Sequence, residues 1–438
     1  MLLLLRMIRE TPKKILKRIR KKLYSNEFLD NNRISNKNFT RKRKLPFVSL
    51  VIFMINMIKQ TLQKELTHFI ELIKDTKMNI SKSAFSQSRL NLKPEAFVEL
   101  NETLIDEFYN DKTIKKWNGF RICAIDGSKL ILPTHSKELM EKFGTLSNGM
   151  IIPQAQISSC YDVLNEIILD AQLETLQVNE LNQAVCHLNK LSNGDLAIFD
   201  RGYAAVWFYY YMVQKNIDFV SRVPKNFIKA AEEFRLSNET SKIIEVNYTP
   251  QKSRYGLQRY GIEFKPFKIR FVKVTLDSGE IEMLATTLLD EDKYPTEIFK
   301  ELYFKRWGIE TNYNRLKSNL NLEEFSGLSE IAIRQDFFVS MFIFNLQTVI
   351  ALDSQEEMNQ IKSKKKNKYE YKINRNLSLG YMKDKVINIL MSDNPKYYDE
   401  LKDLFKINPV PIKKGRKNPR IPQDKNRRTY FMNRKRAV

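Results

Sequence analysis

The stretch "FRICAIDGSKLILP", residues 120–133, decides how the chain is read. Upstream of it, residues 46–77 read as one or two helices, and 81–109 as a Ser/Gln-rich turn followed by a helix that starts at Pro94. From Phe120 the period shortens, and the stretch itself reads as strand, Asp-Gly turn, strand. Working outward, "GMIIPQAQISSCYDVLNEIILDAQLE" (149–174) gives two more strands joined around Asp162–Asn165, and a helix follows near 178–191. "GDLAIFDRGY" (194–203) carries a short buried strand, Leu196–Phe199, that ends at Asp200. A helix (204–215) and the strand "IDFVSRV" (217–223) come next. Strands that are antiparallel first and then alternate with helices make a mixed α/β sheet with helices on it. Residues 224–296 are β-rich, with "KIIEVNY", "FKIRFVKVTL" and "EIEMLATTLL"; the last two are joined by a hairpin turn at Asp277–Gly279. This segment reads as an inserted β-subdomain whose final strand can rejoin the main sheet.

The second informative stretch is "YFKRWGIETNYNRLKSNL", residues 303–320. On a continuous helix at about 100° per residue, Tyr303, Arg306, Glu310 and Lys317 fall within an arc of roughly 60°. Ile298, Leu302, Ile309, Leu316 and Leu320, with Tyr313 close by, form the apolar stripe beside them. A phenol, a guanidinium, a carboxylate and an ammonium thus share one face. Local pairing of Arg306 with Glu310 would also account for part of that pattern. Residues 328–352 are apolar nearly all round and read as a buried helix.

Charge narrows the class of partner. The chain has 438 residues and a net charge of +23. Residues 1–45 hold 15 Lys/Arg against 3 Asp/Glu, and residues 413–438 hold 11 against 1, so 22 of those charges sit at the ends and the middle is nearly neutral. Basic ends on a neutral body fit a long polyanion, most simply DNA. Neither end has the long apolar face that a lipid surface would need. The run "LPFVSLVIFMINMI" (45–58) falls short of the ~20 residues that span a bilayer, and "MLLLL" is too short for a signal-peptide core. Cys123, Cys160 and Cys186, with His68, His135 and His187, show no metal-binding spacing. So sparse and odd a cysteine set fits a reducing cytosol.

Three carboxylates remain: Asp126 in the first strand region, Asp200 at a strand end and Glu310 on the charged helix face. Two-metal phosphoryl chemistry needs such a set, because two Mg²⁺ ions about 3.5–4 Å apart must share carboxylate ligands. Each Asp taken alone reads first as a turn former, and it is their conjunction that points to catalysis.

Together these motifs resemble the DDE transposases of bacterial insertion sequences, in the insertion-sequence-four group. The group's Tyr-Arg-Glu-Lys signature is matched without a gap by Tyr303, Arg306, Glu310 and Lys317. Its second-Asp motif is met by Asp200, Arg201, Gly202 and Tyr203, and its first by Asp126, Gly127 and Ser128. The resemblance covers roughly residues 80–350. It implies a ribonuclease-H-like catalytic core with an inserted β-rich subdomain, flanked by helical N- and C-terminal regions. It also implies two Mg²⁺ per site, replaceable by Mn²⁺, held by Asp126, Asp200 and Glu310, with Tyr303, Arg306 and Lys317 on DNA phosphates. Some relatives stack a flipped base on an inserted-domain tryptophan. Trp117, Trp207 and Trp307 all lie outside 224–296, and Trp207 and Trp307 read as packing residues.

The expected organisation is a basic DNA-binding arm (1–45), a helical N-terminal domain for DNA-end recognition (46–118) and the first part of the catalytic core (119–223). The insertion (224–290), the second part of the core (291–352) and a basic C-terminal region for dimerisation or DNA contact (353–438) follow. The tail of that last region reads as disordered without its partner. The expected function is cut-and-paste transposition: cleavage at terminal inverted repeats and strand transfer to target double-stranded DNA. A homodimer would act in a paired-end complex, in the nucleoid-associated cytoplasm of a bacterium and away from membranes. The alternatives are a ribonuclease-H-fold metal-dependent nuclease without joining, and a catalytically silent DNA-binding derivative.

Overall fold

The computed structural model describes residues 11–41, 43–56, 61–73, 79–110, 114–147, 149–362 and 369–413. The first ten residues of the expected basic arm and the basic tail from 414 onward therefore lie outside the described residues. The chain divides into two compact units, neither continuous in sequence. One comprises residues 114–129 and 156–314; the other comprises 1–113, 130–155 and 315–438.

The first of these is built on a sheet. Its strands are β1 (Arg121–Ile131, as far as 129), β3 (Met150–Asp162, from 156), β4 (Ile167–Thr175), β5 (Asp195–Phe199), β6 (Asp218–Arg222), β7 (Ser241–Val246), β8 (Phe267–Thr275) and β9 (Ile281–Thr286), while β2 (Gly144–Ser147) belongs to the other unit. The order runs β3-β1-β5-β6-β9-β8-β7, with β4 paired to the other side of β3. Val163 N donates to Ile122 O and Leu132 N to Pro153 O, so β3 runs antiparallel to β1. The β3–β4 connection turns on Asp162, whose Oδ1 accepts from the amides of Leu164 and Asn165. β5 and β6 then run parallel to β1 and to one another. An antiparallel meander followed by two parallel strands is the mixed α/β arrangement expected of a ribonuclease-H-like core.

One expected feature is corrected here. Asp126-Gly127 is not a turn: β1 passes straight through it. Gly127 is required for a different reason. A Cβ there would sit 2.6 Å from Gln156 Nε2 and 2.9 Å from Glu180 Oε1, so the glycine lets those side chains lie against the strand.

The inserted segment adds its three strands to the edge of the sheet. β9 pairs antiparallel with β6, β8 with β9 and β7 with β8. Two helices in it, Lys229–Leu236 and Gln251–Arg259, were not expected from the sequence. Arg270 on β8 is 1% exposed, and its guanidinium donates to Tyr294 O at 2.6 Å and to Ser241 Oγ at 2.7 Å. That ties the insertion to the segment entering the next helix. The core around Ile122, Leu196, Ile198, Val220, Leu284, Phe299 and Leu302 excludes water. Full burial of each such side chain contributes about 1.5–3 kcal/mol.

The charged helix is broken where a continuous one was expected. Ile298–Phe304 and Trp307–Ser318 are separate helices. Between them the amides of Lys305, Arg306, Gly308 and Ile309 bond three residues back, which tightens the winding to 3₁₀ type.

The other unit is largely helical. The helix Glu330–Lys362 runs ten residues past the expected boundary at 352. It is apolar and long enough to cross a membrane, yet 83% of its most apolar window is buried. Three of its polar residues are paired, Asn345 with Asn101 at 2.8 Å, Asp336 with Arg89 at 3.0 Å and Gln335 with Arg89 at 2.9 Å. The described part of the N-terminal arm is docked. Thr11–Leu23 buries Ile15, Leu16, Ile19 and Leu23. Its cations pair with acids: Lys13 with Asp399, Arg18 with Glu107, Arg20 with Asp393 and Lys22 with Glu99.

Candidate active site

Every group of the site except Lys317 belongs to the sheet-based unit. The parallel register of β1 and β5 pairs Arg121 with Asp195 and Ala124 with Ile198. Carried on two residues, it sets Asp126 opposite Asp200. Asp200 is still extended (φ −82°, ψ 179°), so both carboxylates leave the same face of the sheet. Each is fixed by a local amide. Asp126 Oδ1 accepts from Gly127 N at 2.9 Å, and Asp200 Oδ1 accepts from Gly202 N at 2.8 Å. A Cβ on Gly202 would stand 3.0 Å from that Asp200 oxygen, so glycine keeps the amide close.

Glu310 comes from the helix Trp307–Ser318. Arg306 connects it to the strand: its Nη2 donates to Glu310 Oε1 at 2.8 Å, and its Nη1 lies 3.8 Å from Asp126 Oδ2. The guanidinium carbon lies 5.8 Å from the Tyr303 ring centre and 5.3 Å from that of Trp307. Arg306 Nε is buried and has no hydrogen-bond partner among the described residues. Burial raises the Asp126 carboxyl to about 7; the Gly127 amide and Arg306 pull it back, while the charges of Asp200 and Glu310 push it further up. The two aspartates and the glutamate are thus electrostatically coupled.

The remaining sequence-derived residues sort as follows. Tyr303 is 8% exposed and packs in the core, its phenol pushed up to about 12 chiefly by burial. Because the helix breaks after it, it does not share an open face with Lys317. Lys317 is half-buried, seven residues beyond Glu310 on the same helix. Ser128 follows Gly127 in β1. Tyr203 is fully buried below the site, its hydroxyl without a partner among the described residues and pushed well up by burial and by Asp126 and Glu180. Trp207 is packed, stacked on Tyr260 at 5.3 Å. Trp307 is not, being 44% exposed, which corrects its expected packing role.

Sequence reasoning missed Tyr313, Ser158 and Glu180. Tyr313 Oη donates to the main-chain carbonyl of Asp126 at 2.7 Å, and Ser158 Oγ donates to the same oxygen at 3.3 Å. The adjacent serines in "QISSCY" are the one signal available, since a buried strand rarely carries two. Among the described residues no three His, Cys, Asp or Glu side chains close on a common metal position. Arg306 holds Glu310 instead.

One aspartate in β1, a second just past the end of β5 and a glutamate on the helix Trp307–Ser318 thus stand on one mixed sheet. Residues 117–346 match the family described as "Transposase DDE domain". The chain belongs to this family and is a DNA transposase, which bears out the resemblance drawn from the three motifs. It is similar to the transposase InsG for insertion sequence element IS4 of Escherichia coli (strain K12), at 20% identity over 313 residues and 70% of each chain. A piggyBac transposase in a synaptic complex with hairpin DNA shows a looser likeness. Its TM-score is 0.43 and its identity 11%, over 91% of this chain and 81% of that one, too slight to carry weight.

Proposed function

We propose that this transposase works by cut-and-paste. It cleaves DNA at the inverted repeats ending its own insertion sequence and joins the freed 3′ ends to target duplex, with Asp126, Asp200 and Glu310 as the metal-holding catalytic residues. The observation that supports this most is the register that sets Asp126 opposite Asp200, with Arg306 linking Glu310 to them. An all-carboxylate donor set suits a hard divalent cation, Mg²⁺ or Mn²⁺. Burial chiefly raises the Asp126 carboxyl and the charges of Asp200 and Glu310 add to it, and a cation there would offset both. What a bound divalent pair supplies is charge stabilisation at the phosphodiester during in-line displacement.

The chain's own residues do the rest. The Gly127 and Gly202 amides hold the two aspartates in place. Arg306, held between two aromatic rings, is placed to clamp a phosphate when it leaves Glu310. Lys317, two turns further along the helix, supplies a second positive contact to the backbone, and Tyr303 backs the site with its phenol. The helical N-terminal residues 46–118 are assigned to end recognition. The basic arm and the C-terminal region are assigned to DNA contact and to a homodimer on paired ends, in the bacterial cytoplasm.

The test is a duplex carrying the element's end, incubated with protein and Mg²⁺. The expected result is metal-dependent nicking, and joining of precut ends to a target plasmid. Cleavage without joining would make the protein a nuclease; retained binding without any nicking would make it a silent derivative.

A further inference from the structure

Asp126 is held by more than its side chain. The two hydrogen bonds that define the β1–β3 register place Ser159 opposite Asp126. At that point the Asp126 carbonyl accepts two side-chain hydroxyls from different elements, Tyr313 Oη at 2.7 Å and Ser158 Oγ at 3.3 Å. Both donors are themselves fixed. Ser159 Oγ donates to Tyr313 Oη at 3.0 Å. Ser158 Oγ lies 2.9 Å from Nε2 of fully buried His187, whose Nδ1 lies 2.6 Å from Asp170 Oδ2. A Ser-His-Asp constellation of this kind with a buried serine cannot meet a substrate. What it can do is fix the direction of the serine hydroxyl.

Tyr313 stands one turn after Glu310 on the same helix. Its hydroxyl therefore spans from the element bearing Glu310 to the main chain of the residue bearing the first aspartate. A phenylalanine would fill the same space, since Tyr313 is only 6% exposed and its ring is packed. The oxygen is what adds direction.

We propose that Tyr313, seconded by Ser158 with His187 and Asp170 behind it, is a positioning residue for catalysis: its hydroxyl fixes the main chain of Asp126 at a set distance from the glutamate helix. This rests on the reading of Asp126 and Glu310 as the catalytic pair. Misplacement of a reacting group by about 1 Å can cost about 100-fold in rate, whereas losing one neutral hydrogen bond costs only about 0.5–1.5 kcal/mol of stability. A positioning role and a merely structural one therefore give different results.

The experiment compares full-length wild type, Tyr313→Phe and Ser158→Ala. It uses single-turnover nicking of element-end duplex across a Mg²⁺ series, end binding without metal, and hydrogen–deuterium exchange. Tyr313→Phe is expected to slow nicking about 10–100-fold and to raise the Mg²⁺ concentration for half-maximal rate, at unchanged end affinity. Exchange should quicken in the peptide covering 121–131, and Ser158→Ala should show the same changes more weakly. Wild-type rates and Mg²⁺ dependence in Tyr313→Phe would overturn the proposal, as would losses that merely track the unfolded fraction. If even wild type fails to nick, the functional reading falls and the catalytic role of Tyr313 with it; if wild type nicks but exchange at 121–131 is unchanged in Tyr313→Phe, the clamp alone is overturned.

Discussion

Asp126 and Asp200 lie opposite one another across β1 and β5 because Arg121 and Asp195, five residues before each, lock the two strands in register. The guanidinium meets the carboxylate through two bonds of 2.7 Å, Nε to Oδ1 and Nη2 to Oδ2, and both side chains are largely buried. A slip of one residue would turn one aspartate to the other face of the sheet.

Removing one side of that pair should therefore be costly. Arg121→Met leaves the Asp195 carboxylate buried without its main partner, and is expected to destabilise the fold by about 3–5 kcal/mol. Urea denaturation measures it; a loss under about 1 kcal/mol would mean that other contacts set the register.

Asp126→Asn, Asp200→Asn and Glu310→Gln each keep shape and remove charge. Each should abolish nicking while end binding in a gel-shift assay stays near wild type. Any variant that still nicks at the wild-type rate removes its residue from the site.

The raised Asp126 carboxyl gives stability a pH dependence with a definite sign. Folded, it titrates near 7, against an ordinary value of 3.8. The folded state thus binds the proton more tightly, and its contribution to stability is full below 3.8 and lost as pH rises through about 7. Without divalent cations, the melting temperature of wild type should fall more between pH 5.5 and 8 than that of Asp126→Asn. Parallel curves for the two proteins would contradict this.

Lys317→Ala should weaken binding to element ends and lower the slope of log affinity against log salt by about one. An unchanged slope would take Lys317 off the phosphate backbone.

Much of this was legible in sequence because it depends on local pattern. The strand sequence from 120 to 223, the β-rich insertion and the three motifs follow from period, turn residues and spacing. What escaped was whatever depends on contacts between distant residues. Asp-Gly reads as a turn in any local window, but Gln156 and Glu180, brought in by other elements, make Gly127 a strand residue of close approach. The helix wheel assumed unbroken winding, yet the chain tightens at Lys305–Arg306 and sinks Tyr303 into the core. The arm at 11–23 shows a net of cations in sequence; its acidic partners Glu107, Asp393 and Asp399 are far along the chain and carry no local sign of the pairing.

That docking of the N-terminal helix bears on how copies of the gene decay. Arg20 reaches the carbonyls of Ile389 and Ser392, Lys383 bonds Glu65 at 2.7 Å and Asp384 holds Asn56, so the earliest helices are closed over by the latest ones. A ribosome must finish nearly the entire message before this half can assemble. A premature stop or frameshift before residue 383 would remove these partners from the N-terminal helices. Such a lesion should yield an insoluble product rather than a sluggish one, so that mobility is lost in a single step.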